Sequence, residues 1–271
     1  MRTKLLLVTA LWVAYPAMAQ TQQPPRLTVL TYNIQIGTGM DKKIDLERTA
    51  AVIRSVSPDV VALQEVDRKA RRSEGADQAA ELARLTGMHM VFGKASVREG
   101  IDLDGGDYGN AILSRLPVLR STNHPLPFTR GFELRAVLEA ELDWRPAGKR
   151  IPLRMFASHF DNASANDRAA SARMLVELAK AQPEAPSILG ADLNSVPDSE
   201  PLTILGTEWR SATAGRELPT FRADSPRRQI DYVLFRPAER WKVVEVRVLE
   251  EPIASDHRPV VAVLELLQSS Q

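Results

Sequence analysis

The chain has 271 residues, of which 44% are hydrophobic and 25% are charged. This length and composition are sufficient for one domain with a large core. Lys and Arg total 35 against 34 Asp and Glu, which does not provide the basic surface of a general DNA-binding protein. The chain has no cysteine, which excludes disulfides, thiolate nucleophiles and zinc-thiolate sites.

The N-terminus has the pattern of a secretory signal peptide. Arg2 and Lys4 precede an apolar stretch over residues 5–15, and Ala17-Met18-Ala19 has the small-residue pattern of a cleavage site. The apolar stretch is shorter than the ~20 residues that usually span a membrane, which disfavours the alternative of an uncleaved anchor. We therefore expect a signal peptide over residues 1–19, one domain over 20–271, and an exported protein in the periplasm or outside the cell.

Hydrophobic periodicity predicts a strand-helix-strand unit at the start of this domain. Residues 26–35 and 59–65 are rich in Val, Leu, Thr and Tyr and are predicted strands. Between them, apolar residues recur at helical spacing after Asp45, a candidate N-cap. Asn33 lies near the end of the first strand and Glu65 at the end of the second, so both are expected at one sheet edge.

The next segments follow a similar pattern. A helix is predicted over 77–86 because its periodicity stops at Gly87. Short strands are predicted around 91–92 and 111–113, with a turn at 104–106.

The second half repeats this plan. Residues 153–160 and 187–192 are predicted strands, and the apolar positions within 172–179 mark one helix face. His159 and Asp192 end the two strands 33 positions apart, against 32 for the polar pair of the first unit. Two such units predict an internal repeat whose strand ends meet. Three further strands complete the chain: 230–235, 241–249 and 260–267.

Polar residues beside the apolar segments are the candidate functional residues. Asp256 and His257 directly precede the last strand, and burying an acid or an imidazole costs several kcal/mol unless it is paired or solvated. Carboxylate and amide oxygens suit a hard cation such as Mg²⁺ or Mn²⁺. The other candidates are Asn33, Glu65, Asn110, His159, Arg168, Asp192, Asn194 and Asp231.

Taken in order, these motifs resemble the endonuclease/exonuclease/phosphatase superfamily. The resemblance covers nearly the whole mature chain and implies the DNase I-like fold, an α/β class. That fold is a four-layer α/β/β/α sandwich of two packed, mainly antiparallel sheets flanked by helices, with a pseudo-twofold internal repeat. The motifs are Tyr32-Asn33-Ile34, Leu63-Gln64-Glu65, Gly109-Asn110-Ala111-Ile112-Leu113-Ser114-Arg115, His159, Asp192-Leu193-Asn194, Ile230-Asp231-Tyr232 and Ser255-Asp256-His257-Arg258-Pro259.

The resemblance implies Mg²⁺-dependent hydrolysis of a phosphate ester by in-line attack of water. Glu65 resembles the principal metal ligand, with Asn33 beside it and Asp256 as a further ligand or an acceptor behind the ligands. Asp192, held by Asn194, matches the residue that orients or deprotonates the water.

The remaining roles concern the phosphate. His257 matches the histidine that contacts the scissile phosphate, and Asp231 matches the carboxylate that pairs with its imidazole. Asn110 and His159 would hold non-bridging oxygens, and Arg168 is a candidate phosphate contact. Nucleases of the superfamily often pair the equivalent histidine with a glutamate, whereas this chain has Tyr108 or Asp107 in that neighbourhood, which favours phosphate binding over acid catalysis by His159.

The subfamily resemblance is to bacterial secreted hydrolases and to proteins associated with GPI-anchor lipid remodelling. It favours a phosphomonoester or phosphodiester of a lipid head group, inositol or sugar, transient contact with membrane lipid, no stable nucleic-acid complex, and a monomer. The alternatives are a secreted Mg²⁺-dependent nuclease and a catalytically silent binding protein on the same fold.

The signal peptide gives the first testable prediction. When the full chain is expressed in a bacterial host, the exported protein is expected to begin at Gln20, because cleavage follows the small residues at 17–19. Mass spectrometry of the purified protein measures its N-terminus. Recovery of exported protein that retains residues 1–19 would contradict the prediction.

Overall fold

A computed structural model describes residues 24–95, 105–129 and 133–267, and the predicted signal peptide lies outside these ranges. The strands are β1 (Arg26–Asn33), β2 (Val60–Arg68), β3 (His89–Ala95), β4 (Asp107–Ser114), β5 (Val118–Pro125), β6 (Ala136–Trp144), β7 (Ile151–His159), β8 (Ser187–Asp192), β9 (Arg210–Ser211), β10 (Asp231–Arg236), β11 (Trp241–Val248) and β12 (Val260–Leu266). The α-helices are α1 (Leu46–Ser55), α2 (Gln78–Thr86), α3 (Ala165–Lys180) and α4 (Glu200–Leu205). Short 3-10 turns lie at Gln35–Gly37, Arg71–Ser73, Pro146–Gly148 and Ala238–Arg240.

The strands form two sheets of six strands each. Sheet 1 has the order β11-β12-β1-β2-β4-β3, and sheet 2 has the order β5-β6-β7-β8-β10-β9. One pair in each sheet is parallel, β1 with β2 and β7 with β8, and the other pairs are antiparallel. A parallel pair needs a crossover connection, which α1 provides in sheet 1 and α3 in sheet 2.

Capping residues determine where the helices begin and end. The Asp45 side chain accepts a hydrogen bond from the Arg48 N–H at the start of α1, as predicted from the sequence. Gly87 ends α2 with a φ of 67°, a left-handed conformation that glycine adopts without strain. None of the helices in the described ranges combines the length and apolar character needed to cross a membrane.

Three apolar layers hold the two sheets and the helices together. Leu27 and Met155 lie in the middle layer, between the sheets. Ile53 of α1 and Leu82 of α2 pack on the outer face of sheet 1, and Leu175 of α3 packs on the outer face of sheet 2. The order of layers is therefore helix, sheet, sheet, helix, which confirms the predicted four-layer sandwich and its repeated strand-helix-strand units.

The two parallel pairs approach each other closely at Gly190. A Cβ at this position would lie 2.6 Å from the Ala62 Cβ and 3.0 Å from the Thr31 Cβ. The Gln64 amide also crosses the interface, since its Nε2 donates to the Gly190 carbonyl at 3.3 Å. The backbones of β2 and β8 therefore pack with no space for another side chain.

Some elements were not predicted from the sequence. In β5, five consecutive residues from Leu119 to Asn123 are exposed, so the strand lacks the apolar alternation on which sequence prediction depends. The helix α4 has only six residues and β9 has two. These elements lie between or beside predicted segments and extend sheet 2 and its outer helix layer.

The close approach at Gly190 predicts a cost for any added side chain. Gly190→Ala is expected to lower the free energy of unfolding by roughly 1–3 kcal/mol, because its Cβ would overlap Ala62. Urea denaturation measures the change. Ala62→Gly removes the opposing Cβ, so the double variant should lose less stability than the two single variants together. Strict additivity would show that the two positions are not in steric conflict.

Candidate active site

Strand alternation places several polar residues at the mouth of the layer between the sheets. Leu27 and Val29 of β1 pack in this layer, so Asn33, at an even spacing from both, lies on the same face. His159 at the end of β7, Asp192 at the end of β8 and Asp231 at the start of β10 are likewise an even number of residues from core residues of their own strands, so they lie on this face too. The site therefore lies where the apolar layer between the sheets ends.

Glu65 reaches this place because of a β-bulge. Val61 and Leu63 face the helix layer, and regular alternation would send Glu65 to that face as well. The register between β2 and β4 shifts between Leu63 and Val66, and Glu65 has a φ of 56°. This left-handed conformation is uncommon for a glutamate. It directs the carboxylate away from the helix layer and into a cleft.

Asn33 connects the two halves of the site. Its Nδ2 donates to Glu65 Oε1 and to Asp192 Oδ2, each at 3.0 Å. Its Oδ1 accepts from the Gln35 N–H at 3.1 Å, which fixes the orientation of the amide. Asn33 is fully buried, and in this arrangement it holds the carboxylates of two different sheets together.

The predicted pairing of His257 with Asp231 is present. His257 Nδ1 lies 2.9 Å from Asp231 Oδ2, and the same oxygen accepts from Thr220 Oγ1 at 2.5 Å. The opposite ring nitrogen, Nε2, lies 3.7 Å from Asp192 Oδ2. Ser255 anchors this segment, because its hydroxyl donates to the Asn33 carbonyl at 2.7 Å.

His159 has a different partner from those suggested by the sequence. Arg135 NH1 lies 2.7 Å from His159 Nδ1, and a guanidinium only donates, so Nδ1 must accept. The other ring nitrogen, Nε2, lies 3.3 Å from Asp192 Oδ2 and 3.0 Å from Asn194 Nδ2. Neither Tyr108 nor Asp107 takes the position of the usual glutamate; Asp107 instead pairs with Arg68 and Lys94.

These residues surround a cleft of about 450 Å³. Asp192 and Asn194 line the same cleft, and the Asn194 N–H donates to Asp192 Oδ1 at 2.9 Å, as expected for a residue that holds Asp192. The lining residues are Gln35, Ile36, Thr38, Glu65, Arg72, Tyr108, Glu133, Arg135, His159, Asn162, Asp192, Asn194, Phe221, Arg228, Ile230, Asp256 and His257.

Two predicted phosphate contacts lie elsewhere. Asn110 is buried opposite the bulge of β2, and its Nδ2 donates to the Ala136 carbonyl at 3.0 Å. Arg168, in the first turn of α3, donates to the Asp161 carbonyl at 3.1 Å. Neither residue lines the cleft. Each side chain donates its hydrogen bond to a nearby backbone carbonyl instead.

Burial and neighbouring charges shift the ionisation of the site. Burial alone would lower the pKa of His257, but the charges of Asp231 and Asp192 outweigh it and raise the pKa to about 10. Burial, and then the charge of Asp231, raise the pKa of Asp192 to about 7. Burial, Arg135 and His257 hold the pKa of His159 well below its usual range. His257 is therefore cationic at neutral pH and His159 is neutral.

The donor set fits a hard divalent cation. Burial raises the pKa of Glu65, and the charge of Asp256, which lines the same cleft, raises it further. A cation would relieve this repulsion, and carboxylate oxygens are the ligands that Mg²⁺ and Mn²⁺ prefer. Ligand atoms of Asp192, Asp231 and His257 also lie within 4.8 Å of one another, but the last two are already hydrogen-bonded to each other. Buried Asp231 Oδ1 has no hydrogen-bond partner in the described ranges.

Two arginines outside the predicted site residues line the cleft: Arg135, which sequence reasoning missed, and Arg72, whose basic segment was expected to be a solvated loop. Arg135 directly precedes β6 and is only 5% exposed. Its charge next to an apolar segment is the feature of the sequence from which its role in the cleft could have been predicted. Arg72 lies in the basic segment 68–72, where it binds Asp67 through two hydrogen bonds and lies 5.1 Å from the centre of the Tyr108 ring. Both arginines bring positive charge to a cleft otherwise rich in carboxylates.

Two packed sheets with a histidine-aspartate pair and buried carboxylates at the mouth between them define the DNase I-like class of α/β sandwich. The chain belongs to the Endonuclease/Exonuclease/phosphatase family, whose model matches residues 30–257. The protein YbhP of Escherichia coli (strain K12) is 26% identical over 274 aligned positions, which cover 91% of this chain and 99% of YbhP.

Solved structures share the fold of this chain. An endonuclease/exonuclease/phosphatase from Beutenbergia cavernae is 30% identical, with a TM-score of 0.75, over 89% of this chain and 72% of that one. The mannosyl-6-phosphatase of Bacteroides thetaiotaomicron shares the fold at 18% identity and a TM-score of 0.68, over 89% of this chain and 100% of that one.

The metal fit can be tested without any assay of activity. Mg²⁺ at about 100 times its Kd is expected to stabilise the folded chain by ~2.7 kcal/mol, which raises the unfolding temperature by roughly 5–10 °C. Glu65→Gln should lose most of this increase because it removes a charged oxygen ligand. Glu245→Gln, at an exposed position of β11, is the control. An equal response of the wild type and Glu65→Gln would place the metal elsewhere.

Proposed function

We propose that the protein is a Mg²⁺-dependent phosphoesterase that hydrolyses a small phosphomonoester or phosphodiester by in-line attack of water. Family membership supports action on phosphate esters in general. The observation that carries the proposal is the position of Asp192 Oδ2. This one oxygen lies 3.0 Å from Asn33 Nδ2, 3.3 Å from His159 Nε2 and 3.7 Å from His257 Nε2.

Asp192 is the residue suited to accept the proton of the attacking water. Its pKa of about 7 lies near the operating pH, where a general base is most effective. The backbone N–H of Asn194 and the amide of Asn33 fix both carboxylate oxygens. The carboxylate is therefore oriented before substrate binds, which reduces the cost of aligning the water.

His257 and Arg135 supply positive charge around the phosphoryl group. Asp231 holds the His257 ring through Nδ1, which leaves Nε2 and its proton for a phosphoryl oxygen. Arg135 is buried, contacts His159 at Nδ1 and forms an ion pair with Glu133. Charges held in place before reaction stabilise the charge that develops in the transition state.

Glu65 and Asp256 would hold the metal, with Asn33 keeping the Glu65 carboxylate in place. A bound divalent cation neutralises charge on the phosphoryl oxygens and lowers the pKa of a bound water. Glu65, Asp192 and Asp256 line the cleft beside the position proposed for the phosphate. Their charges would repel an anionic substrate, so we propose that turnover requires the metal.

The size of the cleft favours a small substrate. A volume of about 450 Å³ suits a sugar, an inositol or a lipid head group. The mannosyl-6-phosphatase that shares this fold acts, by its name, on a sugar phosphate.

We further propose that the protein acts as an exported monomer and contacts membrane lipid only transiently. A nuclease is the alternative that a substrate panel would reveal.

The proposal predicts loss of turnover from single substitutions. Against phosphomonoesters, phosphodiesters, phospholipids and nucleic acids, activity with Mg²⁺ or Mn²⁺ should disappear in EDTA. His257→Ala and Asp192→Asn should each lower kcat/KM by roughly 1000-fold, because they remove a proton donor and a proton acceptor. His89→Ala, at an exposed position of β3, is the matched control.

Three outcomes would refute the proposal in different ways. Absence of turnover on every ester would favour a binding protein on this fold. Full activity of His257→Ala would show that His257 does not take part in the reaction as proposed. Cleavage of nucleic acid alone would show that the protein is a nuclease.

A further inference from the structure

A second pocket adjoins the catalytic cleft. It has a volume of about 380 Å³ and is formed by the loop that runs from Phe221 to Arg228. Phe221 and Arg228 line both the pocket and the cleft, so the two spaces share a wall. The residues of the pocket are Phe221, Arg222, Asp224, Ser225, Arg227 and Arg228.

Hydrogen bonds fix this loop to residues 255–258, the segment that carries His257 and is called the catalytic segment below. The Phe221 N–H donates to the Arg228 carbonyl at 3.1 Å, which closes the loop. The Ala223 N–H donates to the Asp256 carbonyl at 2.8 Å, and Arg258 Nε donates to the Ala223 carbonyl at 2.7 Å. The pocket is therefore held at a constant position relative to the cleft.

The charge of the loop is positive and largely unpaired. Arg222 approaches Asp224 only to 3.6 Å, and both side chains are exposed. In the part of the chain that the structure describes, Arg227 and Arg228 form no ion pair; the Arg228 guanidinium instead lies 5.1 Å from the centre of the Phe221 ring. Exposed arginines elsewhere are often paired, as Arg84 is with Glu81. Unpaired guanidinium groups are the ones available to an anionic ligand.

We propose that this pocket binds a second anionic group of the substrate, so that the preferred substrates are small phosphate esters with two phosphate groups. The inference rests on the proposed phosphoesterase function. The Phe221 ring lies between the sites, 4.9 Å from the His257 ring on one side and beside Arg228 on the other. Because only the Phe221 ring separates His257 from Arg228, one phosphate of a small substrate would contact His257 and the other would contact the loop arginines.

The test compares two substrates in the same assay. The probes are a hexose monophosphate and the corresponding hexose bisphosphate, with the full mature chain and Mg²⁺. Wild type should have the higher kcat/KM for the bisphosphate. Arg227→Ala should lower the ratio of the two kcat/KM values about tenfold, mainly through KM of the bisphosphate, since one charge-assisted contact is lost. Arg227→Lys should restore part of the ratio.

Arg247→Ala is the control, because Arg247 is also exposed and lies on β11, outside both pockets. This variant should keep the wild-type ratio. A wild-type ratio in Arg227→Ala, with both substrates turned over, would overturn the second site and leave the phosphoesterase proposal intact. A dependence on Arg227 for an oligonucleotide alone would also overturn it, in favour of a nuclease groove.

Calorimetry in EDTA separates this inference from the activity itself. Under these conditions no turnover is expected, and the bisphosphate should bind wild type about tenfold more tightly than it binds Arg227→Ala. This result would support the second site even if no ester were hydrolysed. Equal binding by the two proteins would overturn it.

Discussion

The bonds from the Asn33 amide to Glu65 and Asp192 are the constraint on which the site depends. The two carboxylates belong to different sheets, and each is 3.0 Å from the same nitrogen. Without this donor, two negative groups at the end of an apolar layer would repel each other and separate. The close packing at Gly190 brings the strand ends near enough for one amide to reach both.

Charge balance follows from this geometry. Burial, and then the charge of Asp231, raises the pKa of Asp192, while the charges of Asp231 and Asp192 raise the pKa of His257. Buried carboxylates are stabilised by nearby positive charge. Arg135 provides part of this charge, and a divalent metal at Glu65 would provide the rest. The same carboxylates would therefore hold the metal and set the ionisation of His257.

Periodicity predicted the strand-helix-strand units, because strands buried on both faces are apolar and end in polar residues. The four-layer arrangement and the roles of the site residues came from the resemblance to the superfamily. The His257 pairing with Asp231 is as expected. The bulge at Glu65 was not predictable, since a left-handed glutamate leaves no trace in hydrophobic periodicity. Arg135 was missed because its partner, His159, is distant in sequence and near only in the fold. Asn110 matched a motif, yet its amide is used by a buried carbonyl.

The loop from Phe221 to Arg228 is attached to the catalytic segment through main-chain atoms and one side chain, Arg258. Main-chain bonds do not depend on side-chain identity, so the exposed residues of this loop can be exchanged without moving His257. Substrate preference and chemical competence can then change independently during evolution. A family built in this way can diversify its substrates by replacing a few loop residues while the reaction stays the same.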